Sequence, residues 1–165
     1  MKHLLTLSAI VLIAWLAYVP TPPAAAAKSY HLTLEGVEVS GGARGTLALV
    51  GKAGGPLAGS FEVSLRYNPV TGEATGGTWK LTVAPRGRGE RGAQGALAGS
   101  VEGGIVRLGE NGKVESAEAV RLVVRRGAGG YSGVTAGAGE LEGTLNPRRP
   151  HPFAGALRLS FQAAG

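Results

Sequence analysis

From Leu57 to Tyr67 the chain alternates without a break. Leu57, Gly59, Phe61, Val63, Leu65 and Tyr67 fall on one side, and Ala58, Ser60, Glu62, Ser64 and Arg66 on the other. Side chains two apart share a face of a strand, so one face meets a core and the other meets solvent. The same period recurs at Leu47 and Leu49, at Trp79, Leu81 and Val83, at Leu97, Gly99 and Val101, and at Val120, Leu122 and Val124 with Arg121 and Arg125 outward. It closes the chain at Phe153, Gly155, Leu157, Leu159 and Phe161. Near the start, Tyr30, Leu32 and Leu34 alternate until Glu35-Gly36, where Val37 and Val39 take over the apolar phase. A one-residue slip beside glycine predicts a β-bulge in one bent strand.

Turn chemistry separates these runs. Gly41–Gly45, Ala53–Pro56, Asn68–Gly72 and Pro85–Gly92 are rich in Gly and Pro, and Asn111-Gly112 is a tight-turn pair after Ile105–Leu108. No segment after residue 28 keeps a 3.6-residue apolar period. The expectation is an all-β fold of eight to ten strands: an antiparallel, about eight-stranded closed barrel, with a β-sandwich as the alternative. Closure is favoured because it abolishes exposed strand edges. Leu57-Ala-Gly-Ser60 recurs as Leu97-Ala-Gly-Ser100 and loosely as Phe153-Ala-Gly-Ala156, which fits one repeated strand type.

The stretch Gly127–Leu145 is the most glycine-rich. Its second half places Gly137, Gly139, Leu141, Gly143 and Leu145 on one face and Ala138, Glu140, Glu142 and Thr144 on the other. A phosphate cradle would need a helix after Gly127-Ala-Gly-Gly130, with its N-terminus aimed at the anion. The alternation predicts a strand there instead, so the glycines belong to a wall and its entry turn.

The N-terminus changes the expected address. Met1-Lys-His precedes an apolar run from Leu4 to Val19, then Pro20–Pro23 and the small residues Ala24–Ala27. This is the layout of a secretory signal peptide, residues 1–27, followed by a single domain over 28–165. The apolar run is short for a membrane span, so no span is expected once the signal is removed. The protein is expected to be secreted, or periplasmic or otherwise extracytoplasmic. With no Cys, no disulfide staples the fold there, and stability rests on packing.

Charge and chemistry narrow the function classes. The formal net charge is +6, and every acidic residue is Glu. Arg86, Arg88 and Arg91 in an Arg-Gly loop, with Arg148-Arg149, form the strongest electrostatic signal. For an exported protein these are candidate contacts to anionic envelope polymers, and nucleic acid is not an expected partner. No set of His, Cys or carboxylates has metal-ligand spacing, so no metal and no cofactor are expected. Beyond the signal only His31 and His151 remain to serve as a base, and nothing marks a nucleophile beside either. Both are expected on the surface. Glu140 and Glu142 share a face opposite Leu141 and Leu145, which reads as solvated outer-wall charge rather than a paired-carboxylate site.

The aromatics carry the remaining interest. Phe61, Tyr67, Trp79, Tyr131 and Phe153 fall at inward or motif positions and are the candidate lining of a ligand cavity. The competing reading has them packed over inward glycines as core.

The run Gly127-x-Gly-x-Tyr131-x-Gly133, leading into Gly137-x-Gly-x-Leu141-x-Gly-x-Leu145 and a Gly155-centred closing strand, resembles the allene oxide cyclase-like and dirigent-like barrels. The resemblance implies an eight-stranded antiparallel barrel whose cavity holds an apolar small molecule and, in some members, steers a reactive intermediate into one stereoisomer. It brings no catalytic residue: dirigent pockets are described with Asp, and this chain has none. The expected function is a non-hydrolytic, cofactor-free module binding an apolar or phenolic small molecule. The alternatives are a cell-surface protein attached through its Arg-Gly loop and a cofactor-free isomerase or cyclase.

Overall fold

The computed structural model describes residues 27–41, 44–85, 94–146, 148 and 150–162. Residues 1–26 of the expected signal peptide lie outside these, as do Arg86, Arg88, Arg91 and Arg149. Eight strands follow in chain order: β1 (Lys28–Glu38), β2 (Thr46–Gly54), β3 (Gly59–Tyr67), β4 (Ala74–Val83), β5 (Gly95–Leu108), β6 (Val114–Gly129), β7 (Gly137–Leu145) and β8 (Pro152–Phe161). Each pairs antiparallel with the next. β8 returns to β1 from Lys28↔Phe161 to Val37↔Pro152, which closes the barrel. Closure excludes the sandwich.

The inward positions of all eight strands form one apolar core, and no polar or charged residue is buried among the described residues. Eight strands enclose a space that side chains can just fill. Here, rings fill the space that glycines vacate. A Cβ added at Gly51 would lie 2.8 Å from Cε1 of Phe61, and one at Gly36 would lie 3.0 Å from its Cζ. Trp79 sits over Gly99 in the same way, and Phe153 over Gly143 and Gly155. Phe61 and Phe153 then meet in a tilted pair, with centroids 6.2 Å apart. The ring-over-glycine reading of these positions is therefore the observed one: a bulky inward ring needs bare backbone opposite it.

The bulge expected at Glu35-Gly36 does not form. β1 pairs continuously with β2 and with β8 through these residues. The inward phase runs on from Leu34 to Gly36 beneath Phe61, while Val37 stays on the outer phase and Val39 is exposed. The apparent slip arose because a glycine occupies an inner position and valines occupy outer ones.

Most register shifts fall instead on the two longest strands, β5 and β6, with one more between Arg66 and Tyr67 of β3. Val124 pairs with Gly99 and Arg126 with Ala98, so Arg125 is an extra residue on β6. A second shift lies between Ala117 and Val120 of β6, where Ala119 has φ 45°. Such extra residues bend a strand and re-aim its side chains. β5 runs as one strand through Gly103-Gly104, where the sequence suggested two runs.

Candidate binding sites

One end of the barrel is closed by the glycine motif. β6 ends at Gly129, which has φ 62°, and the chain turns back through hydrogen bonds from Tyr131 N–H to Ala128 O, Ser132 N–H to Gly129 O and Val134 N–H to Tyr131 O. Gly127 N–H donates to Val134 O at 2.8 Å, pulling the loop across the mouth. A Cβ on Gly127 would fall 1.9 Å from the Tyr131 carbonyl oxygen, so only glycine fits there. Val134 is buried as a plug, and the Tyr131 ring meets Phe161 edge-on at 6.1 Å. On the other side, Tyr30 stacks on Phe161 with centroids 4.9 Å apart. Both tyrosines are half-buried, so they stand where the apolar interior meets solvent.

The opposite end gathers polar groups. Glu38 continues the inward phase of β1 and accepts a hydrogen bond from the Ser40 hydroxyl. Its other carboxylate oxygen lies 3.6 Å from Nδ1 of His151, and its backbone N–H donates to His151 O. His151 is thus half-buried against a carboxylate, a correction to its expected place on the plain surface. A Ser, a Glu and a His do meet here, but the carboxylate lies between the other two. A hydrolytic nucleophile needs the imidazole, not the carboxylate, to take the hydroxyl proton. The cluster works as a clasp between the end of β1 and the β7–β8 connection, and it holds His151 at φ 59°.

The third place is on the outer wall. A concavity of about 720 Å³ crosses the middle of β2, β3, β4, β5 and β6. The strand register sets two parallel rows of outward side chains along it. One row runs Ala48, Ser64, Thr78 and Ser100; the other runs Val50, Glu62, Lys80, Ala98 and Arg126. The small side chains leave the wall low, and the β6 bulge turns Arg125 and Arg126 outward in succession. Arg125 is held by Glu102 and donates from Nε to the Ser100 hydroxyl at 3.2 Å. Lys80 and Arg126 have no ion-pair partner among the described residues.

The expected lining residues divide between these places. Phe61, Tyr67, Trp79 and Phe153 are buried inside, with Trp79 Nε1–H donating to Val123 O at 3.1 Å; Tyr131 alone reaches the mouth. Glu140 and Glu142 are on the outer wall as expected, and both hold the Arg158 guanidinium, at 3.3 and 3.2 Å. Among the described residues no cluster of His, Asp, Glu or Cys is suited to a metal. Among the described residues the pair with shifted pKa values is exposed: a hydrogen bond from Arg107 holds the Glu118 carboxyl below its ordinary range, and the Arg107 pKa rises correspondingly. Sequence reading missed Arg126 and Lys80. After the inward Val120, Leu122 and Val124, an arginine at the next inward position, Arg126, breaks the alternation, and that break was the sequence signal of a bulge.

Compared with known family models, curated proteins and solved structures, the chain matches none.

Proposed function

We propose that this β-barrel is a non-hydrolytic, cofactor-free binding module that receives an apolar or phenolic small molecule at the mouth framed by Tyr30, Tyr131 and Phe161. The observation that carries this is the three-ring cluster, stacked on one side and edge-on at the other, at the half-buried rim of an apolar interior. Aromatic pairs in these geometries add about 0.5–1.5 kcal/mol beyond area burial, so a further ring that docks on the half-buried tyrosines would gain from the cluster. The Tyr30 hydroxyl supplies a polar handle for a phenol. The resemblance of the Gly127–Leu145 motif to the allene oxide cyclase-like and dirigent-like barrels supports the same class of ligand. An isomerase or cyclase would need an acid or base at that mouth; the inward-phase carboxylate, Glu38, stands at the opposite end and is engaged by Ser40 and His151. Export rests on the layout of residues 1–27.

Titrating the purified protein with phenol-bearing and purely aliphatic probes, followed by NMR of the aromatic side chains, tests the site. Saturable shifts centred on Tyr30, Tyr131 and Phe161, weakened about tenfold in Tyr131→Ala, are expected. Unchanged spectra, or equal binding by Tyr131→Ala, would remove the reading. The ring-over-glycine packing also favours a second reading, in which the barrel is a solid body for a cell-surface protein and Arg86, Arg88 and Arg91 attach it to anionic envelope polymers.

A further inference from the structure

We propose that the outer-wall concavity is a separate binding groove for a linear acidic polysaccharide, laid across strands β2 to β6. It does not depend on the mouth. Four observations converge on it. The groove has a volume of about 720 Å³ across five neighbouring strands, against about 340 Å³ for a second outer concavity over β1, β7 and β8. Its length follows from strand spacing: five neighbouring strands about 4.8 Å apart span roughly 19 Å, suited to an extended chain.

Its floor is chemically particular. Ser64, Thr78 and Ser100 lie in register on three successive strands, so three hydroxyls form one row across the barrel. Hydroxyls both donate and accept, which matches a ligand that presents hydroxyls of its own. Ala48, Val50 and Ala98 leave room beside them.

Its charge is directional. Arg126 and Lys80 stand in the adjacent row without ion-pair partners among the described residues, and Arg125 anchors the end of the hydroxyl row through Ser100. Against these stands Glu62, opposite Lys80. The surplus is cationic. The bulge that doubles the arginines is the fourth observation, since bulges re-aim side chains and concentrate beside functional sites.

The other linear anions fit less well. Single-stranded nucleic acid is gripped by stacking its bases on aromatic rings, and the only ring bordering this groove among the described residues, Trp79, has its side chain buried inside the barrel. An acidic peptide that adds itself as a strand needs a free sheet edge, and the closed barrel has none. A polysaccharide bearing carboxylates along a hydroxyl-rich backbone needs neither.

The test is a titration of the full chain with polygalacturonate oligomers, with a neutral dextran of equal length and with a single-stranded oligonucleotide. Binding to the polygalacturonate, none to the dextran, and weakening as salt rises are expected. Lys80→Gln with Arg126→Gln should lower affinity about tenfold. Ala98→Glu should do the same by filling and recharging the groove; all three positions face outward, and melting curves check the fold. Phenol-probe shifts at the mouth should be unchanged in these variants, so failure of either site is read independently. Tighter binding of the oligonucleotide, equal binding of the dextran, or no binding would overturn the groove. So would binding lost in the triple variant Arg86→Ser, Arg88→Ser, Arg91→Ser but kept in Lys80→Gln with Arg126→Gln.

Discussion

The inner and outer walls of the same strands use small residues for opposite purposes. Inside, Gly36, Gly51, Gly99, Gly143 and Gly155 are seats, each covered by a ring of Phe61, Trp79 or Phe153. Outside, Ala48, Ser64, Thr78, Ala98 and Ser100 are small as well, yet no ring among the described residues covers them and a groove remains. A small residue under a ring is part of the packing, and its enlargement collides with neighbours that are fixed. A small residue facing solvent is free to grow, and what it leaves open can receive something else. Gly99 and Ser100 are adjacent in sequence and belong to the two regimes.

The largest expected effect breaks the comparison at its inner side. In Gly51→Val a Cβ would lie 2.2 Å from Glu35 O and 2.5 Å from Gly36 Cα, both backbone atoms that cannot move aside. Overpacking of this kind costs about 1–3 kcal/mol and sometimes more. The outer counterpart Ala98→Val should stay within about 0.5 kcal/mol of wild type, as surface changes usually do. Urea unfolding of both variants measures the contrast, and equal losses would mean that the inner seats are not tightly filled.

A smaller effect, of opposite sign, is expected at the second β6 irregularity. Ala119 holds φ 45°, a left-handed conformation that costs an L-residue about 1–2 kcal/mol. Ala119→Gly relieves that and gives back about 0.5–1 kcal/mol in chain entropy. A net gain of about 0.5 kcal/mol or slightly more follows, readable as a rise in the unfolding midpoint. A loss would show that the bend is relaxed in solution.

The smallest effect belongs to the outer wall's exposed ion pair. Because Arg107 lowers the folded pKa of Glu118, the pair stabilises above the ordinary carboxylate range. That contribution is lost as pH falls through the lowered folded value. Arg107→Gln should therefore melt slightly below wild type at neutral pH, with the gap closing in acid. A gap that stayed constant would mean that the pair carries no linkage. Solvent screening keeps the whole effect small.

Much of the fold was legible because a strand writes its burial with period two. The face that enters the core on β3 can be read directly from Leu57 to Tyr67. The wall formed by Gly137–Leu145, with Glu140 and Glu142 outside, was equally readable. The misreading at Glu35-Gly36 has a specific cause: glycine carries no apolar label, so its inner position under Phe61 is invisible until the ring is placed. The clasp of Glu38, Ser40 and His151 was hidden for a different reason. Its members lie at opposite ends of the chain and meet only because β8 closes on β1.

The candidate sites follow the same division. Tyr131 was recognisable from its glycine frame, since the turn that carries it is built from neighbouring residues. The groove was not recognisable. Its hydroxyls and cations come from separate strands, and each is an ordinary polar residue in its own segment.

By itself, the sequence determined the all-β class, the inward faces of most strands and the turn at the glycine motif, because alternation and turn chemistry are local properties of the chain. Tertiary structure decided which ring covers which glycine, that Arg125 and Arg126 both face outward, and that Ser64, Thr78 and Ser100 form one row. Those depend on register and closure, which are set by packing between residues far apart in the chain.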